Sequence, residues 1–238
     1  MTRIILSFVL FLSACSAGER QKKSAPITVE NVGKMSDNPF DRPVPTLESN
    51  RAAFVEIEYR LLNKYWGTLE TEHHFGLIVG PYTVLDFSNC WFLDQGFERL
   101  ILRITVRSAL GRWPDVYAVV AAPYPSADSA EIVLLTTSAT MPEQAIVLGE
   151  VDPDISWSTD GYRFEIGEHQ LDDVRQVDVF TEIEPSGELC WADGDQIGGT
   201  FVIWPIFDKE HRLVCIRLLP ARKLEGFLRD NGVSVVTK

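Results

Sequence analysis

The residues of this sequence that could do chemistry are few and scattered. There are 4 histidines (His73, His74, His169 and His211) and 4 cysteines (Cys15, Cys90, Cys190 and Cys215). An imidazole takes and returns a proton near neutral pH, and a hydroxyl or thiol beside it becomes a nucleophile. One reading is therefore a hydrolase with Ser88, Ser138 or Ser186 as nucleophile and His73 or His74 as base. Metal chemistry is disfavoured. Adjacent residues of a strand point to opposite faces, so His73 and His74 do not share an ion and read instead as a pair in a surface loop. His169 and His211 stand alone in polar turns and read as exposed. No Cys-x-x-Cys pattern occurs, which excludes a zinc ribbon, and no metal or cofactor is expected.

Charge and length narrow the classes further. The chain has 238 residues, 45% hydrophobic content and a net charge of −12. That length suits one large β domain or two small barrels sharing a core. The charge excludes a phosphate-binding surface for nucleic acid, and adhesion to anionic head groups through a basic patch. It reads as a soluble, self-repelling surface.

The first residues read as a targeting signal. Arg3 supplies a positive start, and Ile4 to Leu12 is an apolar run shorter than the roughly 20 residues a spanning helix needs. Leu12-Ser13-Ala14-Cys15 then resembles the bacterial lipobox. That resemblance implies removal of residues 1–14, acylation of Cys15 and anchoring to membrane lipid through it. Ser16 after the cysteine resembles sorting to the outer membrane of a Gram-negative cell, with the protein on its periplasmic face. Residues 15–49, polar and spiked with proline, read as an extended tether. Residues 50–238 read as the folded domain. An exported compartment permits disulfides, and Cys190 with Cys215 is the expected pair.

The folded part reads as strands. Val55, Ile57, Tyr59 and Leu61 alternate with Glu56, Glu58 and Arg60, a half-buried strand of period two. Phe75 to Cys90 reads as a hairpin turning at Gly80-Pro81. Leu100, Leu102, Ile104 and Val106 alternate against Arg99, Arg103 and Arg107. Val116–Ala122, Glu131–Leu135, Ala145–Leu148, Val174–Ile183, Thr200–Phe207 and Leu213–Leu218 follow as strands. Ile155–Ile166 reads as a hairpin turning at Asp160-Gly161. One helix is expected, Arg222–Asp230, with Leu224, Phe227 and Leu228 on one face and Asn231-Gly232 as its stop. Trp66, Trp91, Trp113, Trp157, Trp191 and Trp204 read partly as core.

Four blocks in order resemble the trypsin-like serine proteases, including the bacterial high-temperature-requirement branch. Phe75 to Cys90 matches the hairpin that leads into Thr-Ala-Ala-His-Cys, but reads Asp86-Phe87-Ser88-Asn89-Cys90. Tyr124 to Leu135 is similar to the segment carrying the triad aspartate, with Glu131 at that position. Gly194-Asp195-Gln196-Ile197-Gly198-Gly199 resembles Gly-Asp-Ser-Gly-Gly, with Ile197 on the nucleophile. Leu218-Leu219-Pro220 and the terminal helix resemble the family's C-terminus. The resemblance implies an all-β, trypsin-like double antiparallel β-barrel with a short C-terminal helix, and a structural role for Cys90.

It does not carry the chemistry over. Ile197 has no nucleophile, and Asn89 has no usable pKa as a general base near neutrality. Glu131 keeps a carboxylate with no imidazole to orient. The expected cleft is lined by Trp191, Gly198, Gly199 and Trp204 and binds a protein or peptide without turnover. The expectation is thus a membrane-anchored envelope lipoprotein whose degenerate protease domain is a binding module. The alternatives are the hydrolase described above and a structural β-sandwich of the envelope.

Overall fold

A computed structural model describes residues 44–88, 99–124, 132–149, 157–166, 171–184, 187–192, 196–197, 200–201 and 204–237. Chain order begins with a short helix, α1 (Leu47–Ala52), where the sequence reads as tether. The Thr46 side chain accepts from Ser49 N at 3.0 Å and the Ser49 hydroxyl accepts from Thr46 N at 2.8 Å. This reciprocal capping box satisfies two amides that a helix start leaves without partners.

Six strands then close on themselves. They are β1 (Phe54–Asn63), β2 (Leu69–Gly80), β3 (Thr83–Asp86), β4 (Arg99–Ser108), β5 (Val116–Pro123) and β6 (Val133–Thr137), in the order β1-β2-β3-β6-β5-β4. Closure removes the exposed edges a flat sheet would present. Period two sets the contents: Val55, Ile57, Tyr59 and Leu61 are all fully buried. On the outside, Glu58 of β1 accepts from Arg103 and Arg107 of β4, at 3.4 and 3.0 Å.

The second half is built from β7 (Val147–Leu148), β8 (Trp157–Ile166), β9 (Leu171–Glu184), β10 (Gly187–Ala192), β13 (Ile206–Asp208), β14 (Leu213–Ile216), β15 (Leu219–Pro220) and β16 (Val236–Thr237). Their order is β10-β9-β8-β13-β14-β7-β16, with β15 on β14. Among the described residues this sheet runs as an open path and not as the second closed six-stranded barrel expected. Its β7 pairings with β14 and β16 are parallel. A two-residue pair, β11 (Gln196–Ile197) with β12 (Thr200–Phe201), stands apart.

The fold is therefore all-β: a closed six-stranded barrel, then a second sheet that runs open among the described residues, then one C-terminal helix. The closed first barrel rules out the β-sandwich alternative. The helix, α2 (Ala221–Asp230), buries Leu224, Phe227 and Leu228 as its spacing predicts. Phe227 meets Tyr124 edge-on at 5.2 Å, so the last helix also packs on the end of β5. Phe54 joins the two halves, with Phe87, Phe164 and Phe207 all within 6.5 Å of its ring centre. A smaller core, which includes Val179, Ile206 and both Cys190 and Cys215, lies on another face of the second sheet.

Two sequence expectations fail here for identifiable reasons. Trp157–Ile166 is one unbroken strand, with no turn at Asp160-Gly161. Gly161 is there because a Cβ would come within 2.6 Å of the Phe207 carbonyl oxygen and 2.7 Å of Val179. It is a close-approach glycine, not a turn glycine. Thr200–Phe207 is likewise not one strand: Trp204 and Pro205, between β12 and β13, lie outside any strand.

Candidate functional site

The polar residues that the fold gathers lie inside the first barrel, where β2 and β3 run side by side. Gly76 of β2 is opposite Asp86 of β3, which brings His74, two residues away on the same face, towards Asp86. His74 Nδ1 lies 2.8 Å from Asp86 Oδ2. A carboxylate cannot donate, so Nδ1 carries the proton and Nε2 is left as the basic nitrogen in the neutral ring. The Tyr59 hydroxyl donates to the same Oδ2 at 2.7 Å, and Ser88 N donates to Oδ1 at 2.9 Å. The Tyr59 and His74 rings pack at 5.0 Å.

Asp86 is fully buried. Burial alone pushes its carboxyl up, but the His74 imidazole, the Ser88 amide and the Tyr59 hydroxyl outweigh burial and hold it below the ordinary carboxylate value. The carboxylate thus stays charged at neutral pH and fixes the imidazole, which is what the aspartate of a catalytic triad does.

Of the three serines named as nucleophiles, Ser88 and Ser138 are described. Ser88, the hydroxyl nearest in sequence, donates its single proton to Phe75 O at 3.1 Å and accepts from Phe75 N at 2.9 Å. It replaces a backbone partner in the β2–β3 ladder, so that proton is not on offer to His74. Ser138 is exposed, and its amide donates to Tyr117 O. Ser186 lies outside the described residues.

The positions singled out in the sequence fare unequally. Asn89, Cys90, Glu131, Gly198 and Gly199 lie outside the described residues, as do Cys15, His169 and Trp91. Ile197 is in β11, its backbone paired with Thr200. Trp191 is half-buried and stacks on Phe180 at 6.2 Å, and Trp204 packs against the main core. Trp66 is 80% exposed, so it falls outside the part of the tryptophan set that forms core.

The histidines depart from their sequence reading. His73 and His74 are not in a loop; both lie in β2, the first exposed and the second buried, as strand alternation demands. His211 is half-buried, with its Nδ1 3.0 Å from the Tyr162 hydroxyl. Cys190 and Cys215 remain as buried thiols without the disulfide expected of them. Both lie in the smaller core, and the Cys190 thiol points to Val214 O at 3.7 Å.

Asp86 and Tyr59 escaped the sequence reading. A signal was present: Tyr59 falls on the inward set of β1, and a buried phenol needs an acceptor. A shallow cavity of about 350 Å³ on the β8–β9 ribbon, lined by Asp160, Arg175 and Asp178 among others, also escaped it. Among the described residues, no group of three or more His, Cys, Asp or Glu is placed to hold a metal ion.

A second tie runs to the same corner. Arg217 and Leu218, with φ of 49° and 64°, form the two-residue turn between β14 and β15. Both central residues at positive φ is the geometry that suits a tight hairpin. Arg217 Nη1 donates to Phe87 O at 2.7 Å, and Leu218 O accepts from Cys190 N. The turn thereby pins the residue between Asp86 and Ser88 to the second sheet.

No protein-family model matches the chain, and no curated protein matches it. Among solved structures it is similar to the Rv3671c protease of M. tuberculosis. Against the active form the identity is 14% and the TM-score 0.48, over 82% of this chain and 87% of that one. Against the inactive form, a serine-to-alanine mutant, the values are 13% and 0.47, over 84% and 98%. The architecture given above rests on this chain's own strand pairing.

Proposed function

We propose that the protein is a lipid-anchored binding module of the bacterial cell envelope, built on a serine-protease-like barrel that no longer cleaves. The observation that carries this reading is the commitment of the Ser88 proton to Phe75 O, while His74 is buried against Asp86. The imidazole and carboxylate serve as a polar keystone of the barrel. The sequence resemblance sets Ile197 and Asn89 at the positions of nucleophile and base, and on that reading the domain binds a peptide without turnover. The lipid anchor is Cys15.

The test of inactivity incubates the protein with a broad peptide library and a serine-directed fluorophosphonate probe. No cleavage and no labelling are expected. Mass spectrometry of membrane fractions tests the anchor: a mature N-terminus at Cys15 carrying acyl chains is expected, and an unmodified N-terminus would refute it.

A second reading has one observation in its favour, the His74–Asp86 pair itself. In that reading the protein is a hydrolase with His74 as base and a nucleophile other than Ser88. Labelling that disappears in His74→Gln but persists in Ser88→Ala would establish it and overturn the first.

A further inference from the structure

The turn between β1 and β2 presents an apolar tip that the barrel does not use. Tyr65 and Trp66 are 69% and 80% exposed, and Leu69 is 73% exposed. Strand register extends this tip across three strands: Leu62 of β1 is opposite Leu69 of β2 on one side and Leu100 of β4 on the other. Side chains directly opposite share a face. Leu102 of β4 lies where the β1–β4 register shifts, and it is 49% exposed.

The tip is built rather than loose. Asn63 Oδ1 accepts from Tyr65 N at 3.1 Å and from Trp66 N at 3.4 Å, while Asn63 Nδ2 donates to Glu70. Gly67 N donates to Asn63 O, and Asn63 N to Thr68 O. Gly67 takes a φ of +64°, which a side chain would resist. The backbone that carries the indole and phenol is thus already formed, so binding need not order the turn.

We propose that this tip seats in the interface of a zwitterionic phospholipid bilayer. Three features choose that occupant. Tryptophan and tyrosine have an apolar body and one polar handle, which suits the head-group boundary. A tryptophan that is 80% exposed, beside a tyrosine that is 69% exposed, presents a convex knob more than a slot among the described residues. Finally, Leu62-Asn63-Lys64-Tyr65-Trp66-Gly67-Thr68-Leu69 contains no carboxylate and one lysine, in a chain of net charge −12. The chain as a whole is repelled by anionic lipid, yet here the nearest carboxylate, Glu70, is held by Asn63 and by Arg99 at 3.1 Å.

The chain outside the described domain permits the geometry. Residues between Cys15 and Val44 number about 30, which can span at most about 100 Å. The tip lies at the far end of β1 from α1, about 34 Å along a strand of 10 residues. An acylated Cys15 therefore leaves the tip free to face the same bilayer. The proposal draws on the anchor of the preceding section only for this local concentration.

The experiment reconstitutes the full chain with phosphatidylcholine vesicles. Flotation of wild type beside Cys15→Ser reads the anchor. Wild-type emission minus that of Trp66→Phe reads the tip. Brominated acyl chains should quench this difference signal at least twofold. Leu69→Glu combined with Leu100→Glu should abolish the quenching while leaving the melting temperature unchanged. A floating protein whose Trp66 signal is not quenched overturns the proposal. So does a blue shift of that signal that grows with protein concentration without vesicles, which would assign the tip to a second copy of the chain. If the protein fails to float, the anchor is refuted, and the tip is read with excess vesicles: quenching upholds it, and its absence overturns it.

Discussion

Arg217 donates from Nη1 to the Phe87 carbonyl at 2.7 Å, joining residues 130 apart in sequence. The bond ties the β14–β15 turn to the exit of β3, beside the His74–Asp86 pair. Phe87 is fully buried, so its carbonyl has little access to water if the guanidinium is lost. Arg217→Ala should lower stability by about 1.5–3 kcal/mol, the range for a charged hydrogen bond with a buried partner. Chemical denaturation checks it, and a change under about 0.5 kcal/mol would show that the tie is ornamental.

The Asp86 carboxylate gathers Tyr59, His74 and Ser88 N. Its folded pKa lies below the ordinary value, so its contribution is complete above about pH 4. It is lost as pH falls through the lower folded value. Melts between pH 2 and pH 5 should therefore show a loss of stability on acidification that is reduced in Asp86→Asn. At neutral pH, Asp86→Ala should cost about 3–5 kcal/mol, because two buried donors, on Tyr59 and His74, and the half-buried Ser88 amide lose their acceptor.

Tyr162 marks the alkaline side. Burial pushes its hydroxyl up to about 12, with the Asp208 charge adding to the rise and the Asn50 hydrogen bond opposing it. A raised folded pKa means stability that is complete below the unfolded value of about 10. It is lost as pH climbs from there to about 12. Tyr162→Phe should flatten this alkaline slope. It should also cost about 1 kcal/mol at neutral pH, by breaking bonds to Asn50 and His211.

Two glycines should respond oppositely to one methyl group. Gly161→Ala drives a Cβ against the Phe207 backbone and Val179 in a sheet that cannot part locally. A loss of about 1–3 kcal/mol is expected. Gly226, inside α2, has open space where a methyl group would go, with nothing within 4 Å. Gly226→Ala should raise stability by about 0.5–1 kcal/mol through backbone entropy. Equal effects at the two sites would contradict the close approach of β8 to β13.

The sequence by itself determined the strand grammar and the outward face of the fold. Alternation in β1 named Val55, Ile57, Tyr59 and Leu61 as interior, and the spacing of Leu224, Phe227 and Leu228 named the buried face of α2. These are local periodicities, and burial follows them because one side of a strand or helix must leave water. The order of the matching blocks also pointed to an all-β double-barrel layout.

Tertiary structure alone decided the rest. Whether Asp160-Gly161 turns or runs straight depended on β13 lying against it, with Phe207 beside Tyr162 and Asp208 beside Gly161. That Ser88 serves the backbone of Phe75, and that His74 meets Asp86 and Tyr59, depended on the register between three strands. A register shift of one residue would turn every one of these side chains to the other face. Hydrogen-bond chemistry at this corner is therefore a property of strand pairing, and no window of neighbouring residues contains it.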